Sequence, residues 1–178
     1  HGDPRRFVPL RAVPSLPHAA LWLTVRAERL DWGEGVHARL LRTLAAWRAA
    51  GNRVEGVQVD FDAATRGLAG YRAFLADLRR RLPPGTRLSV TGLLDWSAHG
   101  DPAALAGLAG TVDEIVVQTY QGRRTIPGYA GYLRALTRLS LPYRVGIVTD
   151  GQWREPDFLR ADPDYRGTVV FLLDRRGG

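Results

Sequence analysis

The sequence predicts an α/β fold assembled from repeating βα units, and three observations carry that expectation. Short apolar runs alternate with amphipathic helical patterns along the chain. The strand candidates are spaced by about 24–34 residues, the length of one βα unit, which argues for parallel pairing. The strand ends then turn polar one after another: Arg26 and Glu28, Asp60 and Asp62, Asp95, Gln118 with Tyr120 and Gln121, Asp150 with Gln152, and Asp174. A parallel sheet in an open α/β fold reads as nearly continuous apolar strands, whereas a barrel gathers polar side chains at the carboxyl ends of its strands. The expected architecture is therefore a (β/α)8 barrel of the TIM type, with a doubly wound open sheet as the alternative. Six or seven strands in 178 residues fall short of the roughly 250 residues of a full barrel. Either the first one or two βα units lie upstream of His1, or the barrel is incomplete. Residues 1–178 read as one domain, since no Pro/Gly/Ser-rich linker interrupts the series.

Each element has its own signal. Phe7–Val13 is a weak strand candidate interrupted by Pro9, and Ala20–Arg26 is the first clear one. Val36, Leu40, Leu44 and Trp47 recur at helical spacing within 36–50, and Gly51-Asn52 ends that helix. Gly56–Asp62 follows as a strand. Leu68, Tyr71, Leu75, Leu78 and Leu82 then form an amphipathic stripe, stopped by Pro83-Pro84-Gly85. Arg87–Leu94 is a strand, and a short helix is expected after Asp101-Pro102, with Asp101 as its N-cap. Strand Glu114–Tyr120 precedes a helix marked by Tyr129, Tyr132, Leu133, Leu136 and Leu139. Strands Tyr143–Val148 and Gly167–Leu173 complete the series. No glycine-rich phosphate loop follows any strand, and Gly33-Glu34-Gly35 is too short for a dinucleotide fingerprint, so no cofactor is expected.

Composition closes off several chemistries. The chain contains no Cys, no Met and no Lys; its 25 basic residues are all Arg, against 18 acidic ones, for a net charge of +7. Without Cys there is no disulfide framework, thiolate nucleophile or Cys-ligated zinc, and either redox compartment is allowed. No apolar run approaches the roughly 20 residues of a membrane-spanning helix. The basic balance raises nucleic acid as a partner, but the arginines form small separate groups and Arg79-Arg80-Arg81 closes a helix, where cations complement the dipole. No zinc-finger, helix-turn-helix or RRM signature accompanies them, so this reading trails the others.

The segment from Glu55 to Asp62 carries the strongest chemical signal. Val57, Val59 and Phe61 share one strand face, while Gln58, Asp60 and Asp62 share the other. Carboxylates two residues apart lie about 6–7 Å apart at Cα and raise each other's pKa, which suits one of them to donate a proton. The alternative is an Asp pair that caps the next helix or pairs with Arg66. No metal is expected, because a hard cation needs more oxygen ligands than the sequence names. Asp95-Trp96 suits sugar binding, carboxylate to hydroxyls and indole over a sugar face, or else a helix cap beside a wall residue. Arg26 is positioned to enter the lumen and pair with Asp60 or Glu28. Trp22 and Trp47 sit in apolar registers and read as core, and Trp153 with Gln152 and Asp150 reads as structural. Trp32, beside Asp31, is open to either role. The histidines lack metal-ligand spacing; His37 lies on a helix where solvation is the default, and His99 is the one of interest. No Ser occupies a nucleophile elbow.

The run Glu55-Gly56-Val57-Gln58-Val59-Asp60-Phe61-Asp62 resembles the D-G-x-D-x-D-x-E signature of family 18 glycoside hydrolases, the chitinase-like barrels. That resemblance sets Asp62 at the proton donor, Asp60 at the residue that orients the substrate acetamido group, and Gln58 at the first strand-interior Asp. Gln118-Thr119-Tyr120-Gln121 is similar to the M-x-Y-D strand motif, which makes Tyr120 the contact to the reacting acetamido group. Gly167 to Asp174 looks like the last barrel strand, with Phe171 near the usual Trp. Nearly all of the chain, Val57–Trp96 above all, also resembles an uncharacterised bacterial family, domain of unknown function 3142.

The departures have consequences. Asp for Glu shortens the acid by one methylene, and misplacement of about 1 Å costs on the order of 100-fold in rate. Loss of the middle Asp and of the Asp after Tyr120 removes groups that tune the donor. The resemblance thus implies a glycoside hydrolase acting on a bacterial polysaccharide or related glycan, with Asp62, Asp60 and Tyr120 catalytic and Gln58, Gln118, Gln121, Asp95 and Trp96 binding substrate. A non-catalytic glycan-binding or scaffold barrel of the cell envelope is the alternative.

Overall fold

The computed structural model describes residues 7–9, 12–61, 68–93, 102–138, 140–149 and 151–171. The elements run β1 Ala20–Arg26, α1 Glu34–Ala49, β2 Arg53–Asp60, α2 Leu68–Arg81, β3 Arg87–Leu93 and α3 Pro102–Ala109. They continue with β4 Glu114–Gln118, β5 Tyr120–Gln121, β6 Arg124–Thr125, α4 Tyr129–Leu136, β7 Tyr143–Val148, α5 Asp157–Arg160 and β8 Tyr165–Phe171. Six strands pair in parallel in the order β1-β2-β3-β4-β7-β8. The sheet curls into a half-barrel, which is compatible with part of a βα-barrel.

Alternation along the strands gives the sheet two unlike faces. Leu23, Val25, Val57, Val59, Leu88, Val90, Ile115, Val117 and Val145 are buried on the outer face. Against them pack Leu40 and Leu44 of α1, Tyr71, Leu75 and Leu78 of α2, Leu108 of α3 and Leu133 of α4, all within one core. The inner face is polar on β2 and β3 and mixed on β4 and β7, where Val116 and Val148 are also buried. Gln58, Ser89, Thr91 and Glu114 are buried there, although a doubly covered parallel strand ordinarily carries apolar residues on both sides.

Local chemistry ends the helices where the sequence said it should. Gly51, at φ +82, turns the chain after α1. The next residue, Asn52, donates to Trp47 O at 2.9 Å and Pro14 O at 2.7 Å and accepts from Leu16 N at 2.8 Å. One amide thus closes the helix and ties down the segment before β1. A Cβ on Gly56 would meet the Arg87 carbonyl oxygen at 2.1 Å, so only glycine lets β2 approach β3 there.

Several expectations need correction. Of the Phe7–Val13 candidate, the described residues form no strand, and Val8 and Val13 are exposed. Strand β2 begins three residues before the expected Gly56. The expected strand Glu114–Tyr120 breaks at Thr119, whose N–H and hydroxyl both donate to Gly146 O at 3.0 and 2.9 Å; a β5–β6 hairpin follows. His37 is not solvated: it is 4% exposed, edge-on to Trp32, and burial lowers its pKa, with Arg81 adding to the effect. Trp22 is half-buried on the inner face rather than in the core, with the Arg87 guanidinium 5.3 Å above its ring. Trp32 and Trp47 pack against the core, and Trp153 packs against Tyr129.

The inner face holds a fully buried carboxylate at the start of β4. Glu114 accepts from Arg87 at 3.0 Å and from Arg144 at 3.2 Å, reached from the strands flanking β4. The guanidiniums remain about one-third exposed, so water still reaches them if the carboxylate is lost. The reverse loss strands a buried charge, which costs about 3–5 kcal/mol. Glu114→Gln is therefore expected to destabilise by about 2 kcal/mol and the pair Arg87→Gln/Arg144→Gln by distinctly more. Urea unfolding checks the order; equal losses, or a greater loss for Glu114→Gln, would refute the asymmetry.

Candidate functional site

Toward the carboxyl ends of β1, β2 and β3, beginning at the register level of Glu114, three strands bring polar groups together. Parallel pairing sets Arg26 of β1 level with Asp60 of β2, and Thr24 level with Gln58. On β3, Ser89 lies level with Gln58. Two layers result, one residue pair apart along the strands.

In the lower layer Gln58, nearly fully buried, donates from Nε2 to Ser89 Oγ at 3.2 Å and accepts from the Thr24 hydroxyl at 3.4 Å. A neutral amide is thus satisfied on both sides, as burial requires. In the upper layer Asp60 Oδ1 accepts from the buried Thr91 hydroxyl at 2.7 Å. Its Oδ2 lies 3.9 Å from an Arg26 nitrogen, an ion pair without a hydrogen bond. The Asp60 carboxyl keeps about a third of its surface open. It is held from below and free to meet a ligand from above.

Two phenols feel this carboxylate. Tyr71 of α2, fully buried, donates to Val59 O at 3.4 Å, and burial first, then the Asp60 charge, pushes its pKa far up. Tyr120, the first residue of the hairpin after β4, is pushed up to about 12 by burial and, second, by Asp60. Its ring lies 5.6 Å from that of Phe171 at the end of β8. Both phenols stay protonated at neutral pH and keep an O–H to donate. The Asp60 charge thus acts on the phenol of Tyr120, a residue named from a separate segment of sequence.

The other named residues divide. Gln58 sits one layer below Asp60, and Gln118 is half-buried at the end of β4 on the same face. Gln121 is exposed on the hairpin and alternates away from Tyr120. Asp62, Asp95 and Trp96 lie outside the described residues, as do His99, Asp150 and Asp174. Thr24, Ser89 and Thr91 were not singled out from sequence. The signal was available, because Ser89-Val90-Thr91 repeats the polar–apolar alternation of Gln58-Val59-Asp60. Among the described residues no three His, Asp or Glu side chains group to hold a metal ion.

A family model described as Domain of unknown function (DUF3142) matches residues 21–140, more than half of the chain. The chain matches no curated protein. Among solved structures, the crystal structure of the Bacillus cereus spore cortex-lytic enzyme SleL is similar, with a TM-score of 0.50 and 17% identity. The match covers 71% of this chain and 35% of that one, so the chain spans about a third of that enzyme. At this identity the likeness is one of fold. No helix among the described residues is long and apolar enough to cross a membrane.

The Asp60–Tyr120 coupling has a direct consequence. In Asp60→Asn the Tyr120 phenol is expected to titrate below about 12 yet above its ordinary 10, because burial, the larger cause, remains. Tyrosinate absorbance, with Tyr120→Phe subtracted, isolates this group. An unchanged titration would separate the two residues.

Proposed function

The chain belongs to the DUF3142 family, and we propose that it is a glycoside-hydrolase-like βα-barrel acting on a polysaccharide or related glycan. In this reading the half-barrel belongs to a (β/α)8 barrel formed by a single domain, with its site at the carboxyl end of the concave face. The observation that carries the reading is the Asp60 carboxylate at the end of β2, bonded to Thr91 on one oxygen and about a third exposed, its charge felt by Tyr120. The family 18 resemblance assigns Asp60 and Tyr120 to one substrate group. That a spore cortex-lytic enzyme shares the fold supports the same reading.

The chemistry follows from the residues. Asp62 protonates the leaving oxygen of the glycosidic bond, as the carboxylic acid partner does in this class of reaction. The substrate's own acetamido oxygen attacks the anomeric carbon, so no protein nucleophile is required. Asp60, already bonded by Thr91 on one oxygen, accepts the acetamido N–H on the other. The Tyr120 hydroxyl donates to the acetamido oxygen and holds it in line. Gln58, Gln118, Gln121, Asp95 and Trp96 supply further contacts to the glycan.

One observation favours a second reading, a barrel that binds glycan without cleaving it. Gln58 occupies the place of a strand-interior carboxylate and is saturated by Ser89 and Thr24. It has no proton to exchange with Asp60, so the donor loses part of its tuning.

Asp62→Asn discriminates. Wild type is expected to release reducing ends from an N-acetylated polymer, and the variant to release them at least about 100-fold more slowly while still binding. Binding without cleavage by either protein leaves the second reading standing. Neither binding nor cleavage of any N-acetylated polymer would refute both.

A further inference from the structure

The concave face is unevenly filled. The side chains that β2, β3 and β4 contribute at the centre are buried and bonded to one another, through Gln58, Ser89, Thr91 and Glu114. The column on β1 is different. Thr24 and Arg26 are exposed, and the Arg26 side chain retains 74% of its surface. Its single ionic neighbour among the described residues is Asp60 at 3.9 Å, beyond hydrogen-bond reach. Some other arginines make short bonds within the fold: Arg29 to Asp31 at 2.6 Å, Arg81 to Asp77 at 2.7 Å and Arg160 to Glu155 at 2.9 Å. Arg26 stands beside Asp60, the carboxylate whose charge acts on the Tyr120 phenol.

A guanidinium in that place solves a specific problem. Asp60 repels any second carboxylate brought to the site, and a cation beside it offsets the repulsion. The planar fork also matches a carboxylate bidentately, which an ammonium does not. A neutral sugar would gain little from it.

We propose that Arg26 determines specificity at this site by binding a carboxylate carried by the glycan, so that the substrate is an acidic polysaccharide containing carboxylated sugars. The inference rests on the glycan reading above and names its substrate class. Nucleic acid, a different polyanion, is an outcome of the test. The required ligand has both a hydrogen-bonding sugar for Asp60 and Tyr120 and a carboxylate one residue away.

Calorimetry with two matched probes tests this: a hyaluronan oligosaccharide, in which N-acetylglucosamine alternates with glucuronate, and a chitin oligosaccharide of equal length. Wild type is expected to bind the acidic probe about tenfold more tightly than the neutral one. Arg26→Gln lowers the affinity for the acidic probe about tenfold and that for the neutral probe distinctly less; Arg26→Lys restores part of the preference, keeping charge without the fork. Equal melting temperatures establish that the variants are folded, as expected for a side chain this exposed. A wild-type preference for the neutral probe overturns the proposal, as does an equal loss for both probes in Arg26→Gln. If Arg26→Gln weakens a single-stranded oligonucleotide as much as hyaluronan, Arg26 is a general anion contact and the proposal fails. Wild type that binds neither glycan refutes the glycan reading itself, which is a separate result from lost discrimination.

Discussion

A parallel sheet that curls inward has to satisfy whatever its strands point into the interior, and the rest of this structure depends on that constraint. Here the strands point in polar groups, and burying each without a partner would cost about 1–3 kcal/mol. The partners come from neighbouring strands at matching register: Thr24 and Ser89 for Gln58, Thr91 for Asp60, Arg87 and Arg144 for Glu114. Register and polar satisfaction are thus one requirement. A slip of one residue between β2 and β3 would turn Gln58 and Asp60 toward the apolar core and Val57 and Val59 toward the interior.

Two carboxylates of the inner face answer the constraint differently, Glu114 at the start of β4 and Asp60 at the end of β2. Glu114 is saturated by two guanidiniums and closed to solvent, so it serves stability. Asp60 has one oxygen bonded to Thr91, and Arg26 stands beside the other without bonding it. Tyr120 and Tyr71 keep their protons under the combined effect of burial and that charge. A carboxylate fixed on one side and open on the other can receive a ligand without rearranging, which is the preorganisation that recognition and catalysis both need.

Much of this was legible in the sequence, for physical reasons that differ by element. Strands β1 and β7 were bounded correctly because their apolar runs coincide with the paired residues; α1, α2 and α4 were legible from apolar residues at helical spacing, though α1 runs from Glu34 to Ala49 and α4 already ends at Leu136. That Gln58 and Asp60 share one face of β2 was legible through strand alternation. The hairpin after β4 was not: Thr119 still bonds Gly146 O of the neighbouring β7, and only then do Tyr120 and Gln121 pair back on Thr125 and Arg124 outside the main sheet. His37 was also misread. Its burial comes from Trp32 and from Asp77 and Arg81 of α2, none of which shares its helix face in sequence. Thr91 and Ser89 passed unnoticed because small hydroxyls acquire meaning only from the partner across the strand.

In the proposed reading, sugar is held at the carboxyl end of the concave face. A crystal structure of the protein with a bound N-acetylated oligosaccharide tests this most directly. The expected result is a sugar acetamido group between Asp60 and Tyr120, its N–H on the Asp60 oxygen that Thr91 leaves free. An oligosaccharide bound elsewhere, with no contact to Asp60 or Tyr120, would contradict it.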